Sequence, residues 1–377
     1  MTIGVAVLGS TGSIGCSTLA VLERHRERFR VVALTAHSNA ELLRIQAERW
    51  KPAYVGIVNG GKGEVGRGKG TACLVEAATH PDASIVVNGI VGAAGLEATL
   101  AALRAGKRVA LANKETLVMA GELVMREARA GGGEVVPVDS EHSAVLQCLT
   151  GREARDVSRL ILTASGGPFR TWDPARITGA TVEQALQHPT WKMGRKITVD
   201  SATLVNKALE VIEAHFLFDL AYAQVEVVVH PQSVVHAFVE FVDGSVLAQL
   251  GFPSMELPIL YALTHPARVA DHGPRRFDAL TAGGGALTFE PVSAARFPAY
   301  TLGRAAGTAG GTAPAVFNAA NEVAVQAFLD GRIALGRIPE IIECVLADHA
   351  GGDAGSLEAV LAADARARRR ALEVACS

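Results

Sequence analysis

A short stretch in the middle of the chain groups three side chains of different chemistry. Within residues 197–214, Asn206, Lys207 and Glu210 lie three or four positions apart, among apolar residues that recur at helical spacing. We therefore predict a single amphipathic helix that starts near Asp200, on which an amide, an ammonium and a carboxylate converge. Such a patch could bind an anion beside a cation. The alternative is a solvated helix face with an ordinary Lys/Glu pair.

Two further carboxylates follow a predicted short strand at residues 135–138. In Asp139-Ser-Glu141-His142, an extended backbone would project both carboxylates to one side, because strand side chains alternate. Adjacent carboxylates repel each other unless a cation lies between them, and oxygen ligands suit Mg²⁺ or Mn²⁺. Glu210 could be a third ligand. A helix cap with an acid in the first turn is the alternative, and the two are compatible.

The N-terminal segment has the order strand, glycine turn, helix. An apolar run at residues 3–8 leads into Gly9-Ser-Thr-Gly-Ser-Ile-Gly15 and then into a helical pattern. Glycines three apart let the backbone turn sharply and approach a pyrophosphate, which the free amides of a helix N-terminus stabilise. This pattern predicts a dinucleotide site, although GxxGxxG departs from the commoner GxGxxG and could be a purely structural turn.

The residues after the second predicted strand, at 29–34, indicate which dinucleotide binds. An NAD enzyme usually places an acid here to hold the ribose 2′-hydroxyl, whereas this chain has Thr35-Ala-His37-Ser38-Asn39. His37, Ser38 and Asn39 can donate hydrogen bonds to a 2′-phosphate, which a carboxylate would repel. We therefore expect NADPH rather than NADH.

Strands and helices continue to alternate along the first third of the chain, as in a doubly wound parallel sheet. Ligands bind at the carboxyl ends of such strands, and Asn113-Lys114-Glu115 follows directly on the strand predicted at 108–112. Lys114 is thus predicted to meet the nicotinamide and its substrate, with a buried structural lysine as the alternative. The Gly/Lys-rich residues 59–70 are predicted to form a surface loop.

A second group of candidate residues lies between positions 160 and 236. The strand at 160–163 runs into Ser165-Gly-Gly-Pro, a turn whose amides and hydroxyl could bind a phosphate. Pro and Gly interrupt the helical pattern around Trp191, so residues 187–195 are predicted to form a mobile flap, although Trp and Met more often belong to a core. His230 is a further candidate, with a structural histidine as the alternative.

The last third of the chain is predicted to be helical. Residues 265–290 mix Pro, Gly and charge like a linker, and helical patterns from 298 onward suggest a small bundle. Asn318, Asn321 and Glu322 could instead support the active site. The arginine-rich run 366–370 fits a solvated helix face.

Composition excludes several classes of function. The 377 residues carry 36 Lys and Arg against 38 Asp and Glu, a net charge of −2, so no overall field attracts nucleic acid or an anionic membrane. The five cysteines are scattered and odd in number, which fits reduced thiols. With no apolar run near the ~18 residues that cross a bilayer, we expect a cytoplasmic protein.

Together these motifs resemble the 1-deoxy-D-xylulose 5-phosphate reductoisomerase family. The resemblance rests on GSTGSIG, LANKETLV, DSEH, TASGGPF, HPTWKMG, VDSATLVNKALEVIEAH, HPQS and FNAANEVAVQAFLDGRI, in this order along nearly the whole chain. It implies NADPH-dependent rearrangement and reduction of 1-deoxy-D-xylulose 5-phosphate to 2-C-methyl-D-erythritol 4-phosphate, in non-mevalonate isoprenoid biosynthesis. It also implies a homodimer and a divalent cation, Mg²⁺ or Mn²⁺, with Co²⁺ as a further option.

The resemblance also implies roles for individual residues. The implied metal ligands are Asp139, Glu141 and Glu210. The implied catalytic residues are Lys114, Glu141, His142, Glu210 and His230. The implied contacts to the sugar phosphate are Ser140, Glu141, Ser165, His188, Trp191, Met193, Ser201, Asn206, Lys207 and Glu210. The implied cofactor contacts are Thr11, Gly12, Ser13, Ile14, Asn113, Lys114, Glu115 and Gly194, to which the chemistry of the residues after the second strand adds His37, Ser38 and Asn39. The chain departs from the family's pattern at His37-Ser38-Asn39, where a Gly-Lys-Asn-like turn is expected.

The predicted architecture is α/β. A Rossmann-like doubly wound sheet that binds NADPH occupies residues 1–138, an α+β catalytic domain with a mixed sheet occupies 139–264, the linker occupies 265–290, and a helical domain occupies 291–377. Two rival functions are an NADP-dependent dehydrogenase of the semialdehyde or homoserine kind, and a non-catalytic dinucleotide-binding regulator. Neither needs three carboxylates beside a phosphate pocket, and metal-dependent oxidation of NADPH would distinguish them.

Overall fold

The computed structural model describes residues 2–60, 66 and 68–376, which form two compact units. The first unit comprises the chain up to Thr116 together with Val124–Leu146 and Ser254–Arg275. The second comprises Leu117–Leu123, Gln147–Pro253 and the chain from Arg276 onward. The chain therefore passes between the units several times.

Strands and helices alternate in the first part of the chain, and the chain from Pro298 onward is helical. The strands are β1 (Ile3–Leu8), β2 (Phe29–Ala36), β3 (Tyr54–Ile57), β4 (Gly68–Lys69), β5 (Ile85–Asn88), β6 (Arg108–Leu111), β7 (Glu134–Pro137), β8 (Val157–Ala164), β9 (Val225–Val229), β10 (Val235–Phe241), β11 (Val246–Leu250) and β12 (Glu290–Pro291). The helices are α1 (Ser13–Arg24), α2 (Ala40–Trp50), α3 (Ala72–Ala78), α4 (Leu96–Arg104), α5 (Lys114–Gly131), α6 (Ser140–Leu149), α7 (Pro174–Ile177), α8 (Val182–Ala185), α9 (Arg195–Ala202), α10 (Val205–Phe218), α11 (Glu256–Thr264), α12 (Pro298–Ala309), α13 (Ala313–Leu329), α14 (Arg337–Ala347) and α15 (Leu357–Cys376).

The first unit is built on a seven-stranded sheet in the order β4-β3-β2-β1-β5-β6-β7, and all neighbouring strands run parallel. The strand order reverses at β1 and β5, so the sheet has the switch point of a doubly wound fold. The predicted Rossmann-like architecture is confirmed. The two-residue strand β4 lies within the loop predicted at 59–70, and residues 61–65 and 67 of that loop lie outside the described residues.

Buried apolar side chains explain why these strands form. β1 is buried along five of its six residues, as expected of a parallel strand covered on both faces. Helix α11 adds Ile259, Leu260, Ala262 and Leu263 to the same apolar core. It therefore belongs to the first unit, although the sequence had suggested a central domain extending to 264. The reason is that α11 is almost uniformly apolar, so its pattern does not reveal which core it joins.

The second unit combines a mixed sheet with helices. The sheet has the order β11-β10-β8-β9-β12, in which only β8 and β9 pair in parallel. Helices α9 and α10 share one hydrophobic core with the C-terminal helices α12–α15. The predicted mixed sheet and C-terminal helices are both confirmed.

The helix predicted over 197–214 is two helices. α9 ends at Ala202, and α10 begins at Val205 after Leu204, whose φ of 56° lies in the left-handed region. The Thr203 hydroxyl donates to the carbonyl of Val199 at 3.1 Å, and Leu204 is 2 % exposed. Burial of Leu204 thus outweighs the local cost of a left-handed residue. Asp200 lies near the end of α9, so the prediction that a helix starts near this residue is wrong.

Candidate active site

The glycine turn connects β1 to α1 as predicted. Gly9 has a φ of 77°, and a Cβ on Gly15 would stand 2.4 Å from the Gly9 carbonyl oxygen, so both positions require glycine. Gly12 precedes the first residue of α1, and no side chain caps this helix end. Gly12 and Ser13 are exposed, while Thr11 and Ile14 are half-buried. The amides of the first turn are therefore open to an anion.

The residues that follow β2 are exposed at the carboxyl edge of the sheet. The side chain of Asn59 lies 3.1 Å from Nε2 of His37, and Ser38 is exposed. Asn39 caps α2, because its Oδ1 accepts a hydrogen bond from the Leu42 amide at 3.1 Å. This leaves the Asn39 side-chain NH₂ group as its donor toward a ligand.

Asn113 ties together the loops that follow β5 and β6. Its Nδ2 donates to the carbonyls of Ile90 and Gly92, each at 2.9 Å, and to Glu115 at 3.0 Å. Its Oδ1 accepts from the Thr116 amide at 3.1 Å and so caps α5. The side chain of Asn113 is thereby engaged within the protein, and its predicted cofactor contact stays a prediction.

Lys114, the first residue of α5, forms an ion pair with Asp139. The contact follows from topology, since the two residues follow the adjacent parallel strands β6 and β7 at the same edge. Lys114 is 7 % exposed. A buried lysine beside a carboxylate is consistent both with the predicted chemistry and with the structural alternative.

Asp139 and Glu141 lie close together, but not for the predicted reason. The segment is not extended: Asp139 immediately precedes α6, its carbonyl accepts from the Ser143 amide at 2.8 Å, and Glu141 lies in the first turn of the helix. A carboxylate oxygen of Asp139 is nevertheless within 4.8 Å of one of Glu141. Ser140 donates a hydrogen bond to Glu141 at 2.5 Å, and His142 is fully buried. The helix-capping alternative and the carboxylate pair thus coexist.

In the second unit, the turn after β8 packs against the end of α9. Gly166 and Gly167 have φ values of 82° and 63°, and a Cβ on Gly167 would stand 2.7 Å from the Ser201 carbonyl oxygen. The Gly167 amide donates to the Ser165 hydroxyl at 3.2 Å. The glycines therefore allow Ser165 and Ser201 to lie in neighbouring segments.

The three side chains that first indicated a site converge on α10. Asn206 donates to one oxygen of Glu210 at 2.6 Å, and Lys207 donates to the other at 2.5 Å. Lys207 and Glu210 are 3 % and 1 % exposed, which excludes the solvated-face alternative. A buried ammonium and carboxylate of this kind could exchange partners when an anion and a cation bind.

The predicted flap runs between α8 and α9. Trp191 and Met193 are half-buried, and Gly194 precedes α9 as its N-cap. Nδ1 of His188 accepts the amides of Thr190 and Trp191 at 3.1 and 2.9 Å, while its Nε2 lies 3.0 Å from the Ser165 hydroxyl. Burial lowers the pKa of His188 to about 4.

A pocket of about 310 Å³ lies beside this turn in the second unit. Its lining includes Ser165, Gly167, Arg170, Trp172 and Gln187. The pocket therefore connects the glycine turn with the start of the predicted flap.

His230 is fully buried and uses both ring nitrogens. Nδ1 lies 2.9 Å from the Thr288 carbonyl, and Nε2 accepts the amides of Val234 and Val235 at 3.1 and 3.2 Å. Its ring stacks on Phe289. These contacts favour the structural alternative, and the catalytic role of His230 stays a prediction.

Two residues, Gln46 and Asn321, support segments of the candidate site, and of these only Asn321 had been considered from the sequence. Gln46 of α2 accepts from the Ser10 hydroxyl at 2.7 Å and donates to the Ser10 carbonyl at 2.9 Å, which fixes the glycine turn. Asn321 donates to Asp200 at 2.8 Å, next to Ser201, as one proposed alternative for the C-terminal helices had suggested. No local pattern marks Gln46, because its partner lies 36 positions away.

Models of one protein family match most of the chain. The model described as 1-deoxy-D-xylulose 5-phosphate reductoisomerase matches residues 5–121. Two models of the C-terminal domain of that enzyme match residues 135–218 and 250–370.

Curated relatives and solved structures agree with the family models. Two reductoisomerases, from Geobacter sp. (strain M21) and Ralstonia nicotianae, are 52 % and 50 % identical to the chain, cover 98 % and 97 % of it and are themselves covered to 98 % and 96 %. The Zymomonas mobilis reductoisomerase in complex with NADPH has a TM-score of 0.92 at 43 % identity, with 100 % of both chains covered. A reductoisomerase structure in complex with NADPH, fosmidomycin and magnesium has a TM-score of 0.93 at 39 % identity, with 99 % of this chain and 98 % of that one covered. The chain belongs to the 1-deoxy-D-xylulose 5-phosphate reductoisomerase family.

Proposed function

We propose that this protein converts 1-deoxy-D-xylulose 5-phosphate to 2-C-methyl-D-erythritol 4-phosphate with NADPH and a divalent cation, in isoprenoid precursor biosynthesis. The observation that carries the proposal is the hydrogen-bonded group of Asn206, Lys207 and Glu210 on α10, in which Lys207 and Glu210 are buried. This group places hydrogen-bond donors that can bind a phosphate beside a carboxylate that can bind a cation. The chain that carries it matches reductoisomerases over 98 % of its length.

In this proposal the first unit binds NADPH. The pyrophosphate lies against the first turn of α1, on the residues Thr11, Gly12, Ser13 and Ile14. The 2′-phosphate accepts hydrogen bonds from His37, Ser38 and the Asn39 side chain. Lys114 and Glu115, with Gly194 from the other unit, complete the cofactor contacts.

The proposed ligands of the divalent ion are Asp139 and Glu141 in the first unit and Glu210 in the second. The fit is supported by the donor set, because carboxylate oxygens suit Mg²⁺ and Mn²⁺. In each unit a lysine lies beside a proposed ligand, since Lys114 pairs with Asp139 and Lys207 pairs with Glu210.

Binding of the sugar phosphate is assigned mainly to the second unit. Its phosphate takes donors from Ser165, Ser201, Asn206 and Lys207, with His188 and the flap residues Trp191 and Met193 over it. The binding energy of this remote group closes the flap and excludes water from the reacting carbons. Ser140 and Lys114 orient the hydroxyl groups, and His142 and His230 surround the site.

When bound, the divalent ion polarises the oxygens of the hydroxyketone, and NADPH supplies the hydride that reduces the rearranged aldehyde. The chain's own contribution is to orient and to hold charge. Lys114 balances the charge of Asp139, and Lys207 balances either Glu210 or the substrate phosphate. The side chain of Ser140, which donates to Glu141, fixes the orientation of that carboxylate.

The test is NADPH oxidation with 1-deoxy-D-xylulose 5-phosphate, with and without EDTA. We expect turnover that EDTA abolishes and Mg²⁺ restores. Glu210→Gln should lower kcat by at least about 10³-fold, whereas the matched carboxylate change Glu226→Gln, at an exposed position of β9, should leave it within about twofold. Turnover insensitive to EDTA would favour the simple dehydrogenase, and NADPH binding without turnover would favour the regulator.

We further propose a homodimer located in the cytoplasm. The dimer is supported by an edge of the second sheet at β11, whose residues Val246 and Leu247 are 49 % and 37 % exposed.

The location is supported by five cysteines that are all free thiols. None of the described helices is long and apolar enough to span a bilayer. Cell fractionation followed by detection of the protein tests the location.

A further inference from the structure

His188 makes two sets of contacts that together fix where its proton lies. Nδ1 accepts two backbone amides of the flap, from Thr190 and Trp191. A ring nitrogen that accepts hydrogen bonds cannot carry a proton, so the proton of the neutral ring must be on Nε2. The lowered pKa of His188 agrees with a neutral ring.

The tautomer determines the direction of the hydrogen bond to Ser165. Since Nε2 carries the proton, it donates to the Ser165 hydroxyl oxygen across 3.0 Å. The Gly167 amide donates to the same oxygen at 3.2 Å. A serine hydroxyl accepts two hydrogen bonds and donates one. Both accepting positions of Ser165 are thus filled, and only its hydrogen remains to be shared.

We propose that His188 is a positioning residue that couples the flap to the Ser165-Gly-Gly-Pro turn. The flap amides fix the Nε2–H tautomer of His188, and that tautomer leaves the Ser165 hydroxyl as a pure donor toward the substrate phosphate. This inference rests on the proposed function and assigns a mechanism to one of its contacts. An acceptor-only ligand group, such as a phosphate or phosphonate oxygen, is the group that such a hydroxyl recognises.

Two conservative substitutions separate the two contacts of His188. In His188→Asn, the amide oxygen can take the place of Nδ1 and keep the flap amides, but the donor to Ser165 is lost. In His188→Gln, the amide nitrogen can take the place of Nε2 and keep the donor, but the acceptor for Thr190 and Trp191 is lost. Each variant is therefore the matched control of the other.

The kinetic arm measures kcat and KM with 1-deoxy-D-xylulose 5-phosphate under saturating NADPH and Mg²⁺. We expect His188→Asn to raise KM by roughly tenfold with little change in kcat, the size of one lost oriented hydrogen bond. We expect His188→Gln to keep KM within about threefold and to lower kcat, because the flap is less well held. In a Ser165→Ala background, His188→Asn should change KM by less than about twofold, since the two residues act through one contact.

Two structural arms do not depend on turnover. Hydrogen exchange of a peptide covering 187–195 should speed up in His188→Gln and stay near wild type in His188→Asn. Nitrogen NMR of histidine-labelled protein, assigned with His188→Gln, should show a proton on Nε2. A proton on Nδ1, or equal kinetic effects of the two variants, would overturn the inference. A wild-type protein that binds NADPH but never oxidises it contradicts the proposed function instead, and leaves the exchange and NMR results readable.

Discussion

Asp200 shows how far the position of helix α9 depends on single buried polar contacts. Its carboxylate is 1 % exposed and accepts from Asn321 at 2.8 Å, while Lys196 pairs with it at 2.9 Å. A buried carboxylate is tolerated only where its partners replace water. The position of α9, and of Ser201 next to Asp200, therefore depends on a residue of α13.

Asn321→Ala removes one of these partners. We expect the free energy of unfolding to fall by about 1–3 kcal/mol, the cost of leaving a buried acceptor short of a hydrogen bond. Urea unfolding followed by circular dichroism measures the change. The control on the same helix is Gln326→Ala, whose exposed side chain bonds to Asp330 at 2.6 Å and should contribute less than about 0.5 kcal/mol. Equal losses in the two variants would show that the contact to Asp200 is unimportant.

The lowered pKa of His188 predicts a dependence of stability on pH. In the folded protein the pKa is about 4, against an ordinary value of 6.5. Between these pH values the unfolded chain binds a proton that the folded chain does not. The contribution of neutral His188 to the free energy of unfolding is therefore complete above pH 6.5 and is lost as the pH falls toward 4. We expect the stability advantage of wild type over His188→Gln to shrink by about 1–2 kcal/mol from pH 7 to pH 4.5, allowing for partial exposure. Parallel pH profiles of the two proteins would contradict this assignment.

The glycine turn after β1 leaves very different amounts of room beside two of its glycines. A Cβ on Gly15 would meet the Gly9 carbonyl at 2.4 Å, whereas a Cβ on Gly12 would meet the same oxygen at 3.3 Å. Gly15 therefore serves the contact between α1 and the turn, and Gly12 lies on the open side.

These two glycines give a matched pair of substitutions. Gly15→Ala should destabilise the protein by about 2–4 kcal/mol, because backbone atoms must move apart. Gly12→Ala should fold with a stability within about 1 kcal/mol of wild type and lose NADPH affinity by tenfold or more, because the methyl group stands where we propose that the pyrophosphate binds. Thermal unfolding and NADPH fluorescence titration measure the two effects. Equal stabilities would show that the turn can relax around Gly15.

Elements with a purely local cause were predictable from the sequence. The predicted strand 3–8 coincides with β1, and the strands predicted at 108–112 and 135–138 agree with β6 and β7 to within one residue at each end. Buried parallel strands are continuous apolar runs ended by Gly, Asn or a helix cap, so their signal lies in adjacent residues. The spacing of Asn206, Lys207 and Glu210 on one helix was predictable for the same reason.

Elements set by distant contacts were not predictable. The break at Leu204 depends on burial of that side chain, and nothing in residues 197–214 encodes it. Glu141 was placed on an extended segment, because Asp139 and Ser140 fit a strand end as well as a helix cap and the local pattern does not decide between the two. The bonds of His230 to Thr288 and of Gln46 to Ser10 join residues 58 and 36 positions apart. Such partners become visible only in three dimensions.

At the scale of the whole molecule, the mixed sheet ends in a strand with an unprotected edge. β11 has the sequence VLAQL, without a charge or a proline, and pairs only with β10 on its inner side among the described strands. Soluble proteins usually protect such edges with charge, proline or a covering element. An antiparallel pairing of β11 with a second copy of itself would satisfy this edge with twofold symmetry and cover Val246 and Leu247.

The double substitution Val246→Lys/Leu247→Lys places two positive charges on this edge. If β11 forms the proposed dimer interface, like charges from two copies oppose each other, and the dissociation constant should rise by at least about 100-fold. Light scattering after size-exclusion chromatography should then report a mass near the 39.3 kDa of one chain, where wild type gives twice that value. The control is Ile45→Lys, an equally exposed apolar residue on α2 at 48 %, which should leave the wild-type mass unchanged. A monomeric wild type would refute the dimer. A dimeric double variant would show that the interface does not lie at β11, because an edge that carries two lysines on each copy cannot pair with itself at ordinary protein concentrations.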